Sequence, residues 1–398
     1  MLAGASFLHL SGCGGGSNTN PVAAAKVTVS AAPTPASTEA PVPAPSPSES
    51  QVLLYGVAMS SLEGTPDALP GRLNGEVAVT PESHFRYYAE KNLDHLRIQG
   101  IWERLQPKLY GPLGEQLLDH YADPDNPLRN PVALIRHYLD LADRFGLKVI
   151  LDLCHNYGRR YIGYDGVWSS RRLVELGSAD LPVDAFADYC ERLTREFYKH
   201  PAVVAIELMN EPHDLPGGEA GWRLACQQAI NSIRSVDNSL SIVINGYGWA
   251  SAASWKDNNP TLHQLYDPAD SLIWSAHQYF DGNHAGTYQD GSETPPSNLR
   301  VGADRLRPFI DWLNEHRFDG RGHVGEFGAP NTAEWEPILD HFVAAAKDSG
   351  LAMTGHLDSP YPNSSYMMNL FPATDNSGKI IGSERHLVSL LSGLANGH

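Results

Sequence analysis

Residues 203–212 read Val-Val-Ala-Ile-Glu-Leu-Met-Asn-Glu-Pro, a short apolar run that ends in polar residues. Runs of this kind, rich in branched side chains, are typical of strands buried on both faces of a parallel sheet. Seven similar runs occur elsewhere in the chain, and longer segments with helical periodicity lie between them. The eight predicted strands are residues 52–59, 93–98, 148–153, 203–209, 241–245, 272–279, 323–327 and 351–357.

The segments between these runs predict helices. Residues 130–145 carry apolar side chains at three- and four-residue steps from Leu134 onward and stop at Gly146, and residues 183–199 behave similarly and end before Pro201. Eight strands that alternate with helices predict a (β/α)8 TIM barrel, formed as one domain by residues 51–398. A doubly wound open sheet is the alternative, but no GxGxxG or GxxxxGK[ST] motif follows a predicted strand.

The N-terminus resembles an export signal. Residues 2–10 are mostly apolar, yet they are too few to span a bilayer, which takes about 20 helical residues. Leu10-Ser11-Gly12-Cys13 resembles a bacterial lipobox, although no Lys or Arg precedes the apolar run. We therefore expect residues 1–13 to be a signal peptide that ends at Cys13, and Cys13 to carry a lipid. The protein would then be secreted or held at the surface of a bacterium.

Residues 14–50 have the composition of a linker. Residues 31–50 consist almost wholly of Ala, Pro, Ser, Thr and Glu, with prolines at near-alternate positions from Pro33 to Pro47. Such a segment has little apolar surface to bury and favours an extended, polyproline-like conformation. We expect a disordered tether between the anchor and the folded domain.

Charge and cysteine usage exclude several kinds of partner. The formal net charge is −17 at pH 7, which disfavours nucleic acids and anionic membrane surfaces as ligands; membrane contact would come only through Cys13. Cys154, Cys190 and Cys226 show no CxxC or zinc-finger spacing. We expect no metal and no cofactor. Cys190 and Cys226 could pair if their helices are adjacent, although free buried thiols are favoured.

Two carboxylates follow predicted strands on the same face of the barrel. Glu211 ends the fourth strand and Glu326 ends the seventh, and the carboxyl ends of barrel strands share one face, where active sites are built. A pair of carboxyl groups about 5–5.5 Å apart can cleave a glycosidic bond with retention of configuration, one as acid and one as nucleophile. Two carboxylates that face each other across the barrel mouth are the arrangement that glycoside hydrolysis needs, and an inverting enzyme would space them more widely to admit a water.

Seven short motifs lie in order between about residues 53 and 371. They are Gly56-Val57 with Leu62-Glu63, Arg97-Ile98 with the segment 102–107, Asp152 with His155-Asn156-Tyr157, Asn210-Glu211-Pro212, Gly246 with Trp249 and Trp255, His277-Gln278-Tyr279 with Asp281, and Val324-Gly325-Glu326-Phe327-Gly328. In these motifs and in their order, the chain resembles the cellulases of glycoside hydrolase family 5, of the bacterial secreted endoglucanase type.

The resemblance assigns roles to these residues. It implies that Glu211 is the acid/base and Glu326 the nucleophile, with Arg97 and Tyr279 beside Glu326 to keep it ionised. The remaining candidates would bind or orient the sugar. Asn210 would bond the sugar 2-hydroxyl, and the further supporting residues are His155, Asn156 and His277. The candidates for stacking on sugar faces are Trp102, Trp249 and Trp255, and core packing is an equal alternative for Trp102.

The eighth strand departs from the family pattern. The family normally has a tryptophan there beside the scissile bond, and this chain has His356. The resemblance implies an endo-β-1,4-glucanase that acts on β-glucan with retention, and we expect a monomer. A mannanase, a xyloglucanase or a β-1,3-glucanase shares the two glutamates and stays open. So does a surface glycan-binding lipoprotein that has lost hydrolytic activity.

Overall fold

The computed structural model describes residues 54–120, 122–360, 366–375 and 377–397. Eight parallel strands close into a barrel in the order β1-β10-β9-β8-β7-β6-β3-β2. The predicted (β/α)8 barrel is confirmed, and the open doubly wound sheet is wrong. The barrel strands are β1 (Tyr55–Leu62), β2 (His95–Gly100), β3 (Lys148–Asp152), β6 (Val203–Glu207), β7 (Ser241–Asn245), β8 (Leu272–Tyr279), β9 (Gly322–Gly328) and β10 (Ala352–Asp358).

Cys13, the lipobox and the predicted linker at residues 14–50 lie outside the described residues, and they stay predictions. In the part of the chain that is described, no helix is both long and apolar enough to cross a membrane. Cys154, Cys190 and Cys226 are free and buried, so Cys190 and Cys226 do not form a disulfide.

Helices cover the outside of the barrel. In α3, Oδ1 of Asn130 accepts hydrogen bonds from the N–H groups of Val132 and Ala133, and Pro131 occupies the first turn, where no N–H is needed. The helices are α1 (Glu82–Glu90), α2 (Trp102–Leu105), α3 (Pro131–Arg144), α4 (Val183–Phe197), α5 (Gly218–Arg234), α6 (Trp255–Asn258), α7 (Tyr288–Gly291), α8 (Val301–His316), α9 (Glu336–Asp348) and α10 (His386–Ala395). The described part of the chain also has short 3-10 turns at Pro127–Arg129, Ala252–Ser254 and Leu262–Gln264.

A two-stranded antiparallel hairpin follows β3 and was not predicted. It consists of β4 (Arg159–Ile162) and β5 (Arg172–Glu175). The sequence of β5 is Arg-Leu-Val-Glu, which shows no alternation of apolar and polar side chains that would mark a strand. Its residues are mostly exposed. The hairpin lies in the loop that leaves the carboxyl end of β3, on the face that carries the predicted site.

The barrel interior is partly polar. His95 and His323 each bring Nε2 to 2.8 Å from Oγ1 of Thr354, and all three side chains are buried. Burial lowers the pKa of His95 to about 3 and that of His323 well below its usual value. Gly56 gives the His95 ring its space, since a Cβ at position 56 would lie 2.5 Å from ring atoms. Both imidazoles are therefore neutral parts of the core.

Candidate active site

The barrel strands bring the predicted site residues together at one face. Arg97 lies in β2, His277 in β8 and Glu326 in β9, and Asn210 and Glu211 follow β6 by a few residues. The β8–β9 register pairs His277 with Glu326. Because parallel strands end on the same side of a barrel, residues more than 200 positions apart meet there.

Glu326 is 6% exposed and is surrounded by donors. The hydroxyl of Tyr279 donates to its Oε1 at 2.6 Å, and Nη1 of Arg97 donates to its Oε2 at 3.2 Å. Nδ1 of His356 and Nδ1 of His277 lie 3.7 Å and 3.9 Å from the same Oε2. These contacts fix the orientation of the carboxylate.

The surroundings keep Glu326 ionised. Burial has the largest influence on its pKa and acts to raise it, but His356, His277 and Arg97 together outweigh burial and hold the pKa below its usual range. Burial lowers the pKa of His356 to about 4, so that ring is uncharged near neutral pH. Arg97 therefore supplies the permanent positive charge at this carboxylate.

Arg97 is fully buried, and it contacts three other side chains besides Glu326. Its Nε and Nη2 donate to the two carboxylate oxygens of Glu207 at 2.8 Å and 2.7 Å. Nη2 also lies 2.9 Å from Oδ2 of Asp152 and donates to Oδ1 of Asn210 at 2.6 Å. Sequence reasoning missed Glu207. The available signal was a carboxylate within an otherwise apolar strand, because a buried charge needs a partner.

Glu211 is held in an unusual backbone conformation. Its φ is +46°, a region that non-glycine residues rarely occupy and that is found at functional sites. Its N–H donates to Oδ1 of Asn245 at 3.2 Å, and Nδ2 of Asn245 donates to Oε1 of Glu207 at 2.7 Å. Nδ1 of His277 lies 2.7 Å from Oε1 of Glu211, whose side chain stays 15% exposed. Glu207 thus links Arg97 to the backbone of Glu211.

The carboxylates of Glu211 and Glu326 face each other. One oxygen of each, together with Nδ1 of His277, lies within 4.8 Å of the other two atoms. Two carboxyl groups about 5–5.5 Å apart allow one of them to attack an anomeric carbon directly, whereas about 6.5–9.5 Å leaves room for a water between. The short separation fits direct attack.

Comparisons with known proteins agree with this geometry. The family model described as cellulase (glycosyl hydrolase family 5) matches residues 62–357. The chain belongs to glycoside hydrolase family 5. It is therefore a glycoside hydrolase, and the resemblance predicted from the motifs is confirmed.

Solved structures of family 5 enzymes resemble this chain along most of their length. The endoglucanase Cel5A of Pseudomonas stutzeri is 30% identical with a TM-score of 0.70, over 87% of this chain and 95% of that protein. The endo-beta-1,4-glucanase Xac0029 of Xanthomonas axonopodis pv. citri is 27% identical with a TM-score of 0.70, over 86% and 98%. A sequence relative, the manganese dependent endoglucanase Eg5A of Phanerodontia chrysosporium, is 25% identical over 293 residues, which cover 72% of this chain and 67% of the relative.

His155 lies at the edge of the family 5 site. Its Nδ1 is 2.7 Å from Oδ2 of Asp152, and its Nε2 is 3.0 Å from the hydroxyl of Tyr157 and 3.2 Å from Nδ2 of Asn210. Burial acts to lower the pKa of His155, but the carboxylate of Asp152 outweighs it, and the pKa rises to about 9. His155 thus contacts the amide of Asn210, whose Oδ1 already accepts from Arg97.

Three predicted residues lie away from the two carboxylates. Asn156 accepts from the N–H of Trp102 at 2.8 Å and donates to Glu103 at 2.7 Å, so it braces α2. Trp102 is fully buried and stacks on Tyr189 with 4.9 Å between ring centroids. Trp255 is also fully buried. Core packing covers both rings, so the core alternative for Trp102 is confirmed and the expectation that Trp255 stacks on sugars is wrong.

Trp249 is the predicted tryptophan that the family 5 barrel leaves accessible. It is 51% exposed, in the loop after β7, with a φ of +59°. His213, two residues after Glu211, stacks on it at 4.1 Å between centroids and 16° between planes. This ring therefore has a supported face and an exposed side next to the segment that carries Glu211.

Proposed function

We propose that the chain is a retaining endo-β-1,4-glucanase that acts by double displacement, with Glu326 as nucleophile and Glu211 as acid/base. The observation that carries the proposal is the short separation of the two carboxylates, within 4.8 Å between one oxygen of each. The relatives of this chain support β-1,4-glucan as the substrate, since several of them are named endo-beta-1,4-glucanases.

The first step forms a glycosyl-enzyme. An oxygen of Glu326 forms a bond to the anomeric carbon while the bond from that carbon to the leaving oxygen breaks, and the proton of Glu211 passes to the leaving oxygen. Arg97 and Tyr279 hold the attacking carboxylate in place through Oε2 and Oε1 respectively. His277 lies 2.7 Å from Glu211 and orients its carboxyl group.

The second step releases the sugar. Glu211, now a carboxylate, accepts a proton from water as the water oxygen bonds to the anomeric carbon, and the bond to Glu326 breaks. Two inversions at one carbon give net retention. Asn210 lies beside Arg97 and His155, where we expect it to donate to the 2-hydroxyl as the transition state forms.

A panel of defined polysaccharides followed by proton NMR tests the proposal. We expect cleavage of β-1,4-glucan with the β-anomer appearing first, and Glu326→Ala should remove essentially all activity on carboxymethyl-cellulose. Early α-anomer would overturn retention, and hydrolysis of mannan, xyloglucan or β-1,3-glucan alone would overturn the substrate assignment. Tight binding of glucan without release of reducing ends would favour a binding protein instead.

We expect catalysis to need no metal. Glu211, His277 and Glu326 lie close enough together that they could hold an ion, and one relative is named as manganese dependent. The same three groups are engaged by hydrogen bonding and by Arg97, which suits proton transfer and nucleophilic attack. Exhaustive treatment with EDTA should leave the initial rate unchanged, and recovery of a lost rate by Mn²⁺ would contradict this expectation.

We also propose a monomeric lipoprotein at the bacterial surface, anchored at Cys13 and extended on the segment 14–50. The support is the Leu10-Ser11-Gly12-Cys13 sequence and the proline-rich composition that follows it. An acyl chain binds bilayers through its buried methylenes at about 0.8 kcal/mol each. Cys13→Ala should move the enzyme from the membrane fraction to the soluble fraction, and gel filtration of the released protein should give a monomer's volume.

A further inference from the structure

His356 differs from the other two histidines near Glu326. Nδ1 of His155 lies 2.7 Å from a carboxylate oxygen of Asp152. Nδ1 of His277 lies 2.7 Å from a carboxylate oxygen of Glu211. Nδ1 of His356 is 3.7 Å from Oε2 of Glu326, which is too long for a hydrogen bond. Among the described residues it has no hydrogen-bond partner. The imidazole thus lies beside the nucleophile without a hydrogen bond to it.

Two tyrosines fix the orientation of this ring. Tyr279 and Tyr366 both meet it nearly at right angles, with 6.2 Å between ring centroids in each case. Burial lowers the pKa of His356 to about 4, so the ring is neutral at the pH where Glu326 is ionised. With a carboxylate as the nearest charged group to Nδ1, the favoured tautomer carries its proton there, and Nε2 keeps a lone pair.

The His356 ring, which is partly exposed, therefore offers a hydrogen-bond acceptor. Its side chain is 13% exposed, and Nδ1 is the ring nitrogen that is buried without a hydrogen-bond partner among the described residues. A sugar covalently attached to Glu326 brings its hydroxyl groups within a few ångströms of this ring. Hydroxyl groups are donors that such a lone pair can accept from, whereas the indole of a tryptophan has an N–H donor and no acceptor nitrogen.

We propose that His356 is a specificity-determining residue that accepts a hydrogen bond, through Nε2, from a hydroxyl of the sugar unit bonded to Glu326. The proposal rests on the function proposed above. Asn210 follows β6, and β7, β8 and β9 separate it from β10 in the barrel order. The hydroxyl that His356 recognises is therefore a different one from the 2-hydroxyl expected at Asn210.

Such a contact discriminates strongly between sugars. A site built to bond a hydroxyl rejects an analogue that lacks it, because the buried polar group of the protein is then left unpaired. A purely apolar surface at this place would distinguish far less between a sugar and its analogue without the hydroxyl. In a β-1,4-linked glucose unit the hydroxyls that remain to be recognised are those at positions 3 and 6.

Deoxygenated substrates test the contact. The full chain is assayed with an aryl β-cellobioside and with its 3-deoxy and 6-deoxy forms, modified in the glucose unit that carries the aryl group. For one of the two positions, we expect the loss of the hydroxyl to lower kcat/KM of the wild type by roughly tenfold or more. In His356→Phe the same loss should be under about threefold, since the acceptor is gone. His356→Gln, which keeps a polar atom near this place, should restore part of the discrimination.

Matched controls separate this contact from a structural effect. His263→Phe changes a histidine that stacks on His316 at 4.0 Å in another part of the fold, and its discrimination should equal that of the wild type. If His356→Phe does not fold, His356→Ala gives the same comparison. Equal discrimination in the wild type and the His356 variants for both deoxy sugars would overturn the proposal. A wild type unable to cleave the parent cellobioside would instead overturn the proposed function.

Discussion

Glu207 receives two hydrogen bonds from Arg97, at 2.8 Å and 2.7 Å, and both side chains are fully buried. Glu326 receives one hydrogen bond from Arg97, at 3.2 Å. The guanidinium is therefore anchored by Glu207 and presented to Glu326. Since Asn245 joins Glu207 to the backbone of Glu211, one carboxylate in β6 supports both sides of the site.

Glu207→Gln should lower both stability and kcat. Removing one partner of a buried ion pair costs up to about 3–5 kcal/mol, and Asp152 and Glu326 remain beside Arg97 to offset part of its charge. With its anchor weakened, Arg97 is free to shift relative to Glu326, so kcat of the folded enzyme should fall by about tenfold or more. Urea unfolding and the kinetics of an aryl β-cellobioside at a temperature well below unfolding measure the two effects separately.

The pair Arg234 and Asp267 provides the control for Glu207. It is also buried and bidentate, with distances of 2.7 Å and 2.8 Å, but it joins α5 to the loop before β8. Asp267→Asn should cost a similar amount of stability and leave kcat of the folded enzyme unchanged. A Glu207→Gln variant with wild-type kcat would contradict the anchoring role.

Tyr279→Phe should move the acid limb of the pH profile. The hydroxyl of Tyr279 donates to Glu326 at 2.6 Å, and a donor to the charged form lowers the pKa of a carboxyl group. Losing it raises the pKa of Glu326, so the fall of kcat/KM with decreasing pH should begin at a higher pH than in the wild type. Tyr138→Phe removes a buried hydroxyl on α3 and should leave the profile unmoved. An unshifted limb in Tyr279→Phe would exclude this role of the hydroxyl.

The sequence predicted some residues of the site and missed others. Glu211 and Glu326 were accessible because polar residues at the ends of apolar runs mark the working face of a barrel, and the short motifs around them are specific. Glu207 was hidden because its partners, Arg97 and Asn245, are 110 and 38 positions away, and only the folded barrel brings them together. Trp255 begins the four-residue helix α6. So short an element shows no apolar periodicity, and the sequence therefore did not reveal that this ring is buried in the core.

Stability should fall as the pH drops below about 6.5. The pKa of His95 is about 3 in the folded barrel and near 6.5 in an unfolded chain, so the unfolded state binds the proton first. The stability that His95 provides is complete above about pH 6.5 and declines toward pH 3 by up to about 1.4 kcal/mol per pH unit. The lowered pKa of Glu326 adds a loss of the same sign below about pH 4.5. His155 has the opposite effect, because its pKa is raised to about 9 in the folded protein. The stability that it provides is complete below about pH 6.5 and is lost as the pH rises to about 9.

Urea unfolding at several pH values between 5 and 7 measures this slope. His95→Gln replaces the ring with a side chain that does not titrate, so the variant should lose part of the pH dependence whatever its absolute stability. An identical slope in the variant and the wild type would show that other groups govern the acid side.

Trp249→Ala should weaken binding of long substrates and spare the chemistry. The ring is 51% exposed and supported by His213 from behind, beside the segment that carries Glu211, and stacking of a sugar on such a ring is worth about 0.5–1.5 kcal/mol. We expect KM for soluble cello-oligosaccharides to rise by up to about tenfold with kcat nearly unchanged, because neither carboxylate touches the indole.

His213→Ala should give a smaller change of the same kind, since it removes only the support. Tyr266→Ala alters another exposed ring, 69% accessible, in the loop before β8 at the opposite face of the barrel, and should change neither constant. A fall in kcat without a rise in KM in Trp249→Ala would mean that the ring acts on the transition state and not on binding.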